Sequence, residues 1–587
     1  MPKLSLCMIA KDEADQIGRC LTSVKEAVDE MIVVDTGSTD ATAAVAAQLG
    51  ARVADFPWDD HFSAARNFSL ELATGDWILV LDADEALEPA GREKLRRIIH
   101  NDEPVEGYFC KLLNYVSVSD WTEVNPGMVF RLFRNKPEYR FQGAIHEQII
   151  NVIAGGNPQA KLAVREDLQI LHYGYLKDAA WLKAKRQKYL SLVERALASA
   201  PEDRLLRYEY GEELFHAGRY QEALTELARA GDGLDPQVHF MPKLLRTIIL
   251  AYLALQQFDA ALQLVHRSIG LLPFYADLYH LGGVIYREKQ DFSQAIAYFE
   301  KALVQPEQPA FYASVDGVRG YRTLFELGKI AEQTGQNTEA LEYYTQSVKH
   351  HPHFTPALER LIILLNPYRD PGRVQTYLES IADFTTPEAS LKLGKVLYEL
   401  AAYRAALKYL ERGGSCPEAP PDLQILQADC LCQQGRFDPA FAKLATFQPD
   451  HPLYGIAIFH KLIGAWLQQN QALVNQLSAT LSQTNLSPDL QTIVALFPTT
   501  LNRLLAPSSQ HTPATGATDS PRLSTEGLAL FNQLLLRTLN IQAPDLGAQW
   551  IQGLGPELLS SDAPHLARIY QLYGYPDLAQ QYLNLGA

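Results

Sequence analysis

Five consecutive apolar residues, Trp77-Ile-Leu-Val-Leu81, are bounded by Thr74-Gly75-Asp76 before them and by Asp82-Ala-Asp84-Glu85 after them. An unbroken apolar run this short predicts a strand covered on both faces, as in a parallel sheet packed between helices. Leu4 to Ala10 and Met31 to Val34 read the same way. Between them Ile17, Leu21, Val24 and Val28 recur at helical spacing, which predicts a helix from Ala14 to Val28. An alanine-rich helix then runs to Gly50, with Ser38, Thr39 and Asp40 available as caps. Arg66 falls on a helix just before the acidic strand, and Met128 to Arg134 reads as a later strand flanked by Arg131 and Arg134. Strand and helix alternating at this pitch predict a right-handed parallel sheet in an α/β domain.

From Trp181 onward the strand pattern gives way to helical periodicity with an internal repeat. Ala261 and Ala295 lie 34 residues apart, and so do Ala406 and Ala440. Twelve residues before Ala223, Ala295, Ala340 and Ala406 stand Gly211, Gly283, Gly328 and Gly394. Each alanine marks the second helix of a hairpin, where a small side chain meets a small one on the first helix. Tyr220, Phe258, Phe292, Tyr403 and Phe437 occupy the turn three residues earlier, as packing residues. Longer gaps of 38 and 45 residues between copies place insertions near Gly231 to Gln237 and Pro306 to Gly320. Ser508 to Ser524 is poor in apolar residues and reads as a flexible linker or long loop. The expected division is an α/β domain over 1–200, a repeat superhelix over 201–505, a linker over 506–525 and a helical part over 526–587. That last part is read as a cap on the array or as a homodimer contact.

Composition narrows the picture. With 587 residues, 47% of them hydrophobic, the chain can build several real cores. A formal charge of -16 argues against nucleic acid as a main partner. The six cysteines are scattered, and Cys430 and Cys432 have no second pair to complete a zinc site, so all six read as buried thiols in a reducing compartment. The first residues are too soon charged for a signal peptide, and no stretch approaches a membrane span. The expected location is therefore cytoplasmic.

In an open α/β sheet, ligands gather at the carboxyl edge of the strands. Asp82 and Asp84 would stand there, with Asp35 at the end of the neighbouring apolar run. Two carboxylates one residue apart can share a hard divalent cation that also holds substrate phosphates; an acidic turn capping the next helix explains them equally well. Arg66 could pair with a carboxylate or a diphosphate, or lie on the surface. In Phe141-Gly-Ala-Ile-His146-Glu147, Glu147 is a candidate general base, with Asp120 and Glu123 as rivals and mutual bracing of His146 and Glu147 as the plain alternative. His172, in Leu171-His-Tyr-Gly-Tyr175, closes the domain.

Cys7-Met-Ile-Ala-Lys-Asp-Glu13, Val33-Val-Asp-Thr-Gly-Ser-Thr-Asp40, Ala65-Arg-Asn67 and Leu81-Asp-Ala-Asp-Glu85, in this order, resemble family 2 glycosyltransferases with a Rossmann-like GT-A fold. Residues 1 to 200 carry the likeness. It is nearest to the branch that includes bacterial glucosyltransferases of surface glycans and peptide S-glycosyltransferases fused to helical repeats. The alanine and glycine pattern resembles the tetratricopeptide repeat, an all-α solenoid. The resemblance implies a nucleotide-sugar donor, of which UDP-sugar is the expected one, a Mn²⁺ or Mg²⁺ ion, and inversion at the anomeric carbon. It places Ala10, Lys11 and Glu13 beside the nucleobase, Asp35 on it, Arg66 near the diphosphate or ordering the acidic residues, Asp82 and Ala83 by ribose and sugar, Asp84 and His172 on the metal, and Glu147 as base. Thr36 departs from the pattern, since many relatives carry a second Asp there. The expected acceptor is a protein such as flagellin, or a secreted peptide, held by the repeats. An envelope or lipid-linked glycan as acceptor, and a non-catalytic scaffold, are the alternatives.

Overall fold

The computed structural model describes residues 2–101, 104–115, 124–143, 145, 147–156, 159–174, 179–235, 238, 240–308, 312, 314–416, 419–484, 486–505, 524–540, 567, 570–571 and 575–585. The chain divides into two compact units, Met1–Ile330 and Ala331–Ala587.

Among the described residues the first unit opens with eight strands: β1 (Leu4–Ala10), β2 (Glu30–Asp35), β3 (Arg52–Asp55), β4 (Trp77–Val80), β5 (Glu85–Leu87), β6 (Val105–Tyr115), β7 (Val124–Arg134) and β8 (Lys161–His172). Interleaved are α1 (Ala14–Val24), α2 (Thr42–Gln48), α3 (Phe62–Leu72), α4 (Gly91–Ile99) and α5 (Ile150–Gly156). The strands form one sheet in the order β3-β2-β1-β4-β7-β6-β8-β5. β1 to β4 are mutually parallel, as the apolar runs predict. The parallel order stops there, because β7 lies antiparallel to β4 and β6 antiparallel to β7. Both faces of the parallel half are covered. Leu4, Leu6, Met8 and Leu79 pack with Ile17 and Leu21 of α1 on one side. Cys7, Ile32, Val34, Ile78 and Val80 pack with Leu70 of α3 and Ile153 of α5 on the other. Double burial explains why these strands read as unbroken apolar runs.

The same unit continues as helices α6 (Ala179–Ser199), α7 (Arg204–His216), α8 (Tyr220–Gly231), α9 (Met241–Ala254), α10 (Phe258–Leu271), α11 (Ala276–Glu288), α12 (Phe292–Leu303) and α13 (Tyr321–Gln333), the last crossing into the second unit. Onward run α14 (Asn337–His350), α15 (Thr355–Leu365), α16 (Pro371–Ile381), α17 (Pro387–Glu399), α18 (Tyr403–Gly413), α19 (Leu423–Cys432), α20 (Phe437–Leu444), α21 (Tyr454–Leu467), α22 (Gln471–Ser482), α23 (Pro488–Leu505), α24 (Thr525–Asn540) and α25 (Pro576–Leu585). Within the units α7 pairs with α8, α11 with α12, α17 with α18 and α19 with α20 as hairpins, as the repeat predicts. The pairing of small residue against small residue does not hold, however. A Cβ on Gly211, Gly283 or Gly394 would meet Leu227, Phe299 or Leu410 at 2.9 Å or less. These partners follow the repeat alanines by four residues, so each glycine makes room for a large side chain one turn beyond the buried alanine.

All six cysteines are buried free thiols. Among the described residues no helix is long and apolar enough to cross a membrane. The linker expected over 506–525 falls almost wholly outside the described residues, as do parts of both predicted insertions.

Candidate active site

The carboxyl ends of β1 and β4 face a cleft of about 660 Å³. Its lining includes Ala10, Lys11 and Glu13 from the β1–α1 loop, Arg66 of α3, Asp82, Ala83 and Asp84 after β4, and Glu147 and His172 from the far half of the sheet. Nine of the ten residues singled out in the sequence thus share one cavity. Asp35 is not among the lining residues. It is 6% exposed at the end of β2, and its Oδ1 accepts from the backbone of Gly37 at 2.9 Å and Ser38 at 2.7 Å. Thr36, the position that departs from the family pattern, lines the cleft instead.

The polar residues after β2 do not cap α2 in the expected way, since the residue before that helix is Ala41. Ser38 Oγ accepts from the Asp12 backbone at 3.0 Å, and Asp12 Oδ1 accepts from the Thr39 backbone at 2.7 Å. Asp40 accepts from the Ala14 backbone at 3.1 Å and the Thr42 backbone at 2.9 Å. Together they stitch the β1–α1 loop to the β2–α2 loop and fix one wall of the cleft.

Two buried guanidiniums organise the acids. Arg66 donates from Nε to Glu147 at 2.6 Å and from Nη2 to Asp82 at 3.2 Å. Arg131 of β7 donates from Nη2 to the other Asp82 oxygen and to Glu85, both at 2.6 Å. Burial opposes the charge on Asp82, yet Arg131 and Arg66 outweigh it and hold its pKa well below the usual carboxylate range. Burial and the neighbouring Asp82 and Asp84 push Glu85 upward against the pull of Arg131. Arg66 Nη1 and Arg131 Nε are buried polar atoms with no hydrogen-bond partner within the protein. Both oxygens of Asp82 are engaged by arginines.

Asp84 meets His172, Oδ2 to Nε2, at 3.5 Å, while His172 Nδ1 contacts Asn114 Oδ1 at 2.7 Å. The β5–β8 and β6–β8 pairings, Glu85 opposite His172 and Asn114 opposite His172, set this geometry. Burial would lower the His172 pKa, but the hydrogen bond and charge of Asp84, with Glu85 and Asp82 behind it, raise it. A Cβ on Gly174 would stand 2.4 Å from Asp84 Oδ2 and 2.7 Å from His172 Nε2. The glycine thus leaves open a space at close to coordination distance from an oxygen and a nitrogen donor. Asp84 Oδ2 and His172 Nε2, 3.5 Å apart, are an oxygen and a nitrogen donor that a divalent cation could share. Among the described residues no group of three or more His, Cys, Asp or Glu is arranged to hold a metal.

Several lining residues escaped the sequence reading. Asp12 lies inside the Cys7–Glu13 motif, while Trp58 stands just before α3 and Phe62 at its start; Arg131, which binds Asp82 from outside the lining, is legible in the sequence only as a flank of its strand. Lys188, Tyr189 and Leu192 come from α6, outside the motif-bearing region, and line the same cleft. Ile145, two residues before Glu147, packs with Leu192 and Val193 of α6. The rival acids Asp120 and Glu123, and His146, lie outside the described residues.

Comparison with known proteins defines the class. Residues 5–146 match the family described as glycosyl transferase family 2. Residues 190–239, 276–303 and 321–349 match tetratricopeptide repeats. A TPR repeat-containing protein of Synechococcus elongatus is 35% identical over 291 residues, covering 48% of this chain and 71% of the relative. The SPbeta prophage-derived glycosyltransferase SunS of Bacillus subtilis is 27% identical, over 44% of this chain and 60% of its own length. Among solved structures, glucosyl-3-phosphoglycerate synthase from Mycobacterium tuberculosis with Mn²⁺ and UDP-glucose is 18% identical, with a TM-score of 0.25, over 33% of this chain and 80% of that one. The chain is a glycosyltransferase. It joins a glycosyl transferase family 2 domain to tetratricopeptide repeats, and so belongs with the TPR repeat-containing proteins.

Proposed function

We propose that the chain transfers a sugar, with inversion, from a nucleotide-sugar, UDP-sugar being the expected donor, to a protein or peptide acceptor held by its repeats. The observation that carries this reading is the shared cleft, where Asp82, Asp84, Glu147 and His172 meet residues of the first long helix after the sheet. Ala10, Lys11, Glu13 and Thr36 border the nucleobase, with Asp35 behind them holding the turn. Arg66 and Arg131 keep Asp82 ionised and oriented toward ribose and sugar, beside Ala83. Asp84 and His172 would hold the divalent cation, whose charge would offset that of the departing diphosphate. Glu147 accepts the proton of the acceptor hydroxyl or thiol. As that proton leaves, the acceptor oxygen or sulfur bonds to the anomeric carbon and the bond from that carbon to the diphosphate oxygen breaks.

Purified protein incubated with labelled UDP-sugars, Mn²⁺ and cell lysate should label a protein band. Label confined to lipid or polysaccharide would reject the protein acceptor and favour an envelope glycan. Slow Mn²⁺-dependent hydrolysis of the donor should vanish in Asp84→Ala, and equal behaviour of variant and wild type would favour the scaffold reading.

A further inference from the structure

One wall of the cleft is built to present carbon. In the loop before α3, Asp60 takes a φ of 63°, a left-handed conformation uncommon outside glycine. Two hydrogen bonds hold it there: its Oδ1 accepts from the Trp58 indole at 2.9 Å and its Oδ2 from Arg195 of α6 at 3.1 Å. Unusual backbone kept in place by its surroundings points to a role for what it positions. Here that is the Trp58 ring, which meets the edge of Phe62 with centroids 4.7 Å apart, and both rings line the cleft. The one polar atom of Trp58, its indole N–H, is already donated to Asp60, so the ring offers the cleft no hydrogen bond.

Leu192 of α6 extends this surface. It lines the cleft, is 6% exposed, and belongs to one apolar cluster with Phe62 and Ile145. Ile145 stands two residues before Glu147, so the carbon wall runs up to the carboxylate read as the base. The rest of the lining has the other character, with Lys11, Asp12, Glu13, Asp82, Asp84 and His172. That polar set suits a nucleotide-sugar, whose phosphates and hydroxyls need partners. Hydroxyls buried against Trp58, Phe62 and Leu192 would give up water and gain no hydrogen bond in return. An apolar side chain has no such loss and gains by leaving water.

We propose that Trp58, Phe62 and Leu192 form the acceptor side of the cleft and select a protein segment with an apolar side chain within two residues of the residue that receives the sugar, a role that rests on the transfer proposed above with Glu147 as base. Consecutive Cα atoms are about 3.8 Å apart. A segment whose reacting atom meets Glu147 therefore lays its neighbouring side chains on a wall that begins at Ile145. Trp58 is the specificity-determining residue, and Asp60 and Arg195 position it. A glycan, which brings hydroxyls throughout, and a segment with only charged neighbours are both disfavoured at this wall.

The test is a selection from synthetic peptides with a central serine, threonine or cysteine and randomised flanks, incubated with the full chain, labelled UDP-sugar and Mn²⁺. Sequencing of the glycosylated fraction should show leucine, isoleucine, phenylalanine or tryptophan enriched about tenfold beside the modified residue. Trp58→Ala should lose that enrichment and Trp58→Phe should keep it, a change of preference that a loss of turnover alone does not produce. Labelled peptides without an apolar flank preference, or a preference unmoved in Trp58→Ala, would overturn the subsite and leave the transfer reading standing. Donor hydrolysis with no peptide labelled would instead overturn the peptide acceptor, and neither hydrolysis nor label would overturn the transfer itself; the subsite falls with either. Should Trp58→Ala not fold, the wild-type selection decides alone, apolar enrichment supporting the subsite and its absence overturning it.

Discussion

Gly174 sits where any side chain would crowd both Asp84 and His172, with a Cβ 2.4 Å from one donor atom and 2.7 Å from the other. Gly174→Ala must push one of them aside. Misplacing one ligand costs about 10- to 100-fold in metal affinity. The variant should bind Mn²⁺ at least tenfold more weakly by titration calorimetry while melting near the wild-type temperature; unchanged affinity would remove Asp84 and His172 as a metal pair. Glu209 of α7 makes a different kind of claim. Burial, with Asp203 and Glu212 adding to it, pushes its carboxyl from 4.5 to about 9. Below pH 4.5 it is protonated folded and unfolded alike, so it costs nothing there. Between 4.5 and about 9 the unfolded chain gives up the proton while the folded one keeps it. Stability therefore falls as pH rises through that window, by up to about 1.4 kcal/mol per unit. Glu209→Gln should flatten this slope, matching wild type near pH 4 and melting higher at pH 8. A parallel pair of curves would show that Glu209 ionises freely.

Helix α6 shows at the scale of elements why part of the cleft was hidden in the sequence. The acids were legible because each follows an apolar strand, and strand ends of a parallel sheet share an edge. Nothing in the run from Lys188 to Leu192 marks a site, since its role comes from tertiary packing on Phe62 and Ile145. Arg131 was hidden for a related reason. Its strand could be seen, but its antiparallel pairing with β4, which carries it to Asp82, could not. The glycine spacing of the repeats was plain, yet the partner of each glycine, one turn past the regularly spaced alanine, follows only from how the hairpins interlock. Leu192→Asp tests α6 as a wall. Leu192 is 6% exposed, and a carboxylate there costs several kcal/mol unless the contact opens. Opening it frees Ile145 and the adjacent Glu147. Turnover should fall about tenfold or more, with donor affinity by thermal shift little changed. Equal losses in both would place α6 on the donor rather than on the base.

At the scale of the whole chain, the two compact units predict how ligands act on stability. Every residue that lines the cleft belongs to Met1–Ile330. A ligand stabilises only the unit whose native state binds it, by about 2.7 kcal/mol at one hundred times its dissociation constant. The buried cluster of Asp429, Arg537, Tyr398 and His460 lies wholly within Ala331–Ala587 and gains nothing from donor binding. Calorimetric melting should therefore resolve two transitions. UDP-sugar with Mn²⁺ should raise one by a few degrees and leave the other in place, and Asp84→Ala should abolish that rise without moving either baseline transition. Arg537→Met should lower only the transition that the donor does not move. A single transition shifted by both perturbations would mean that the units unfold together.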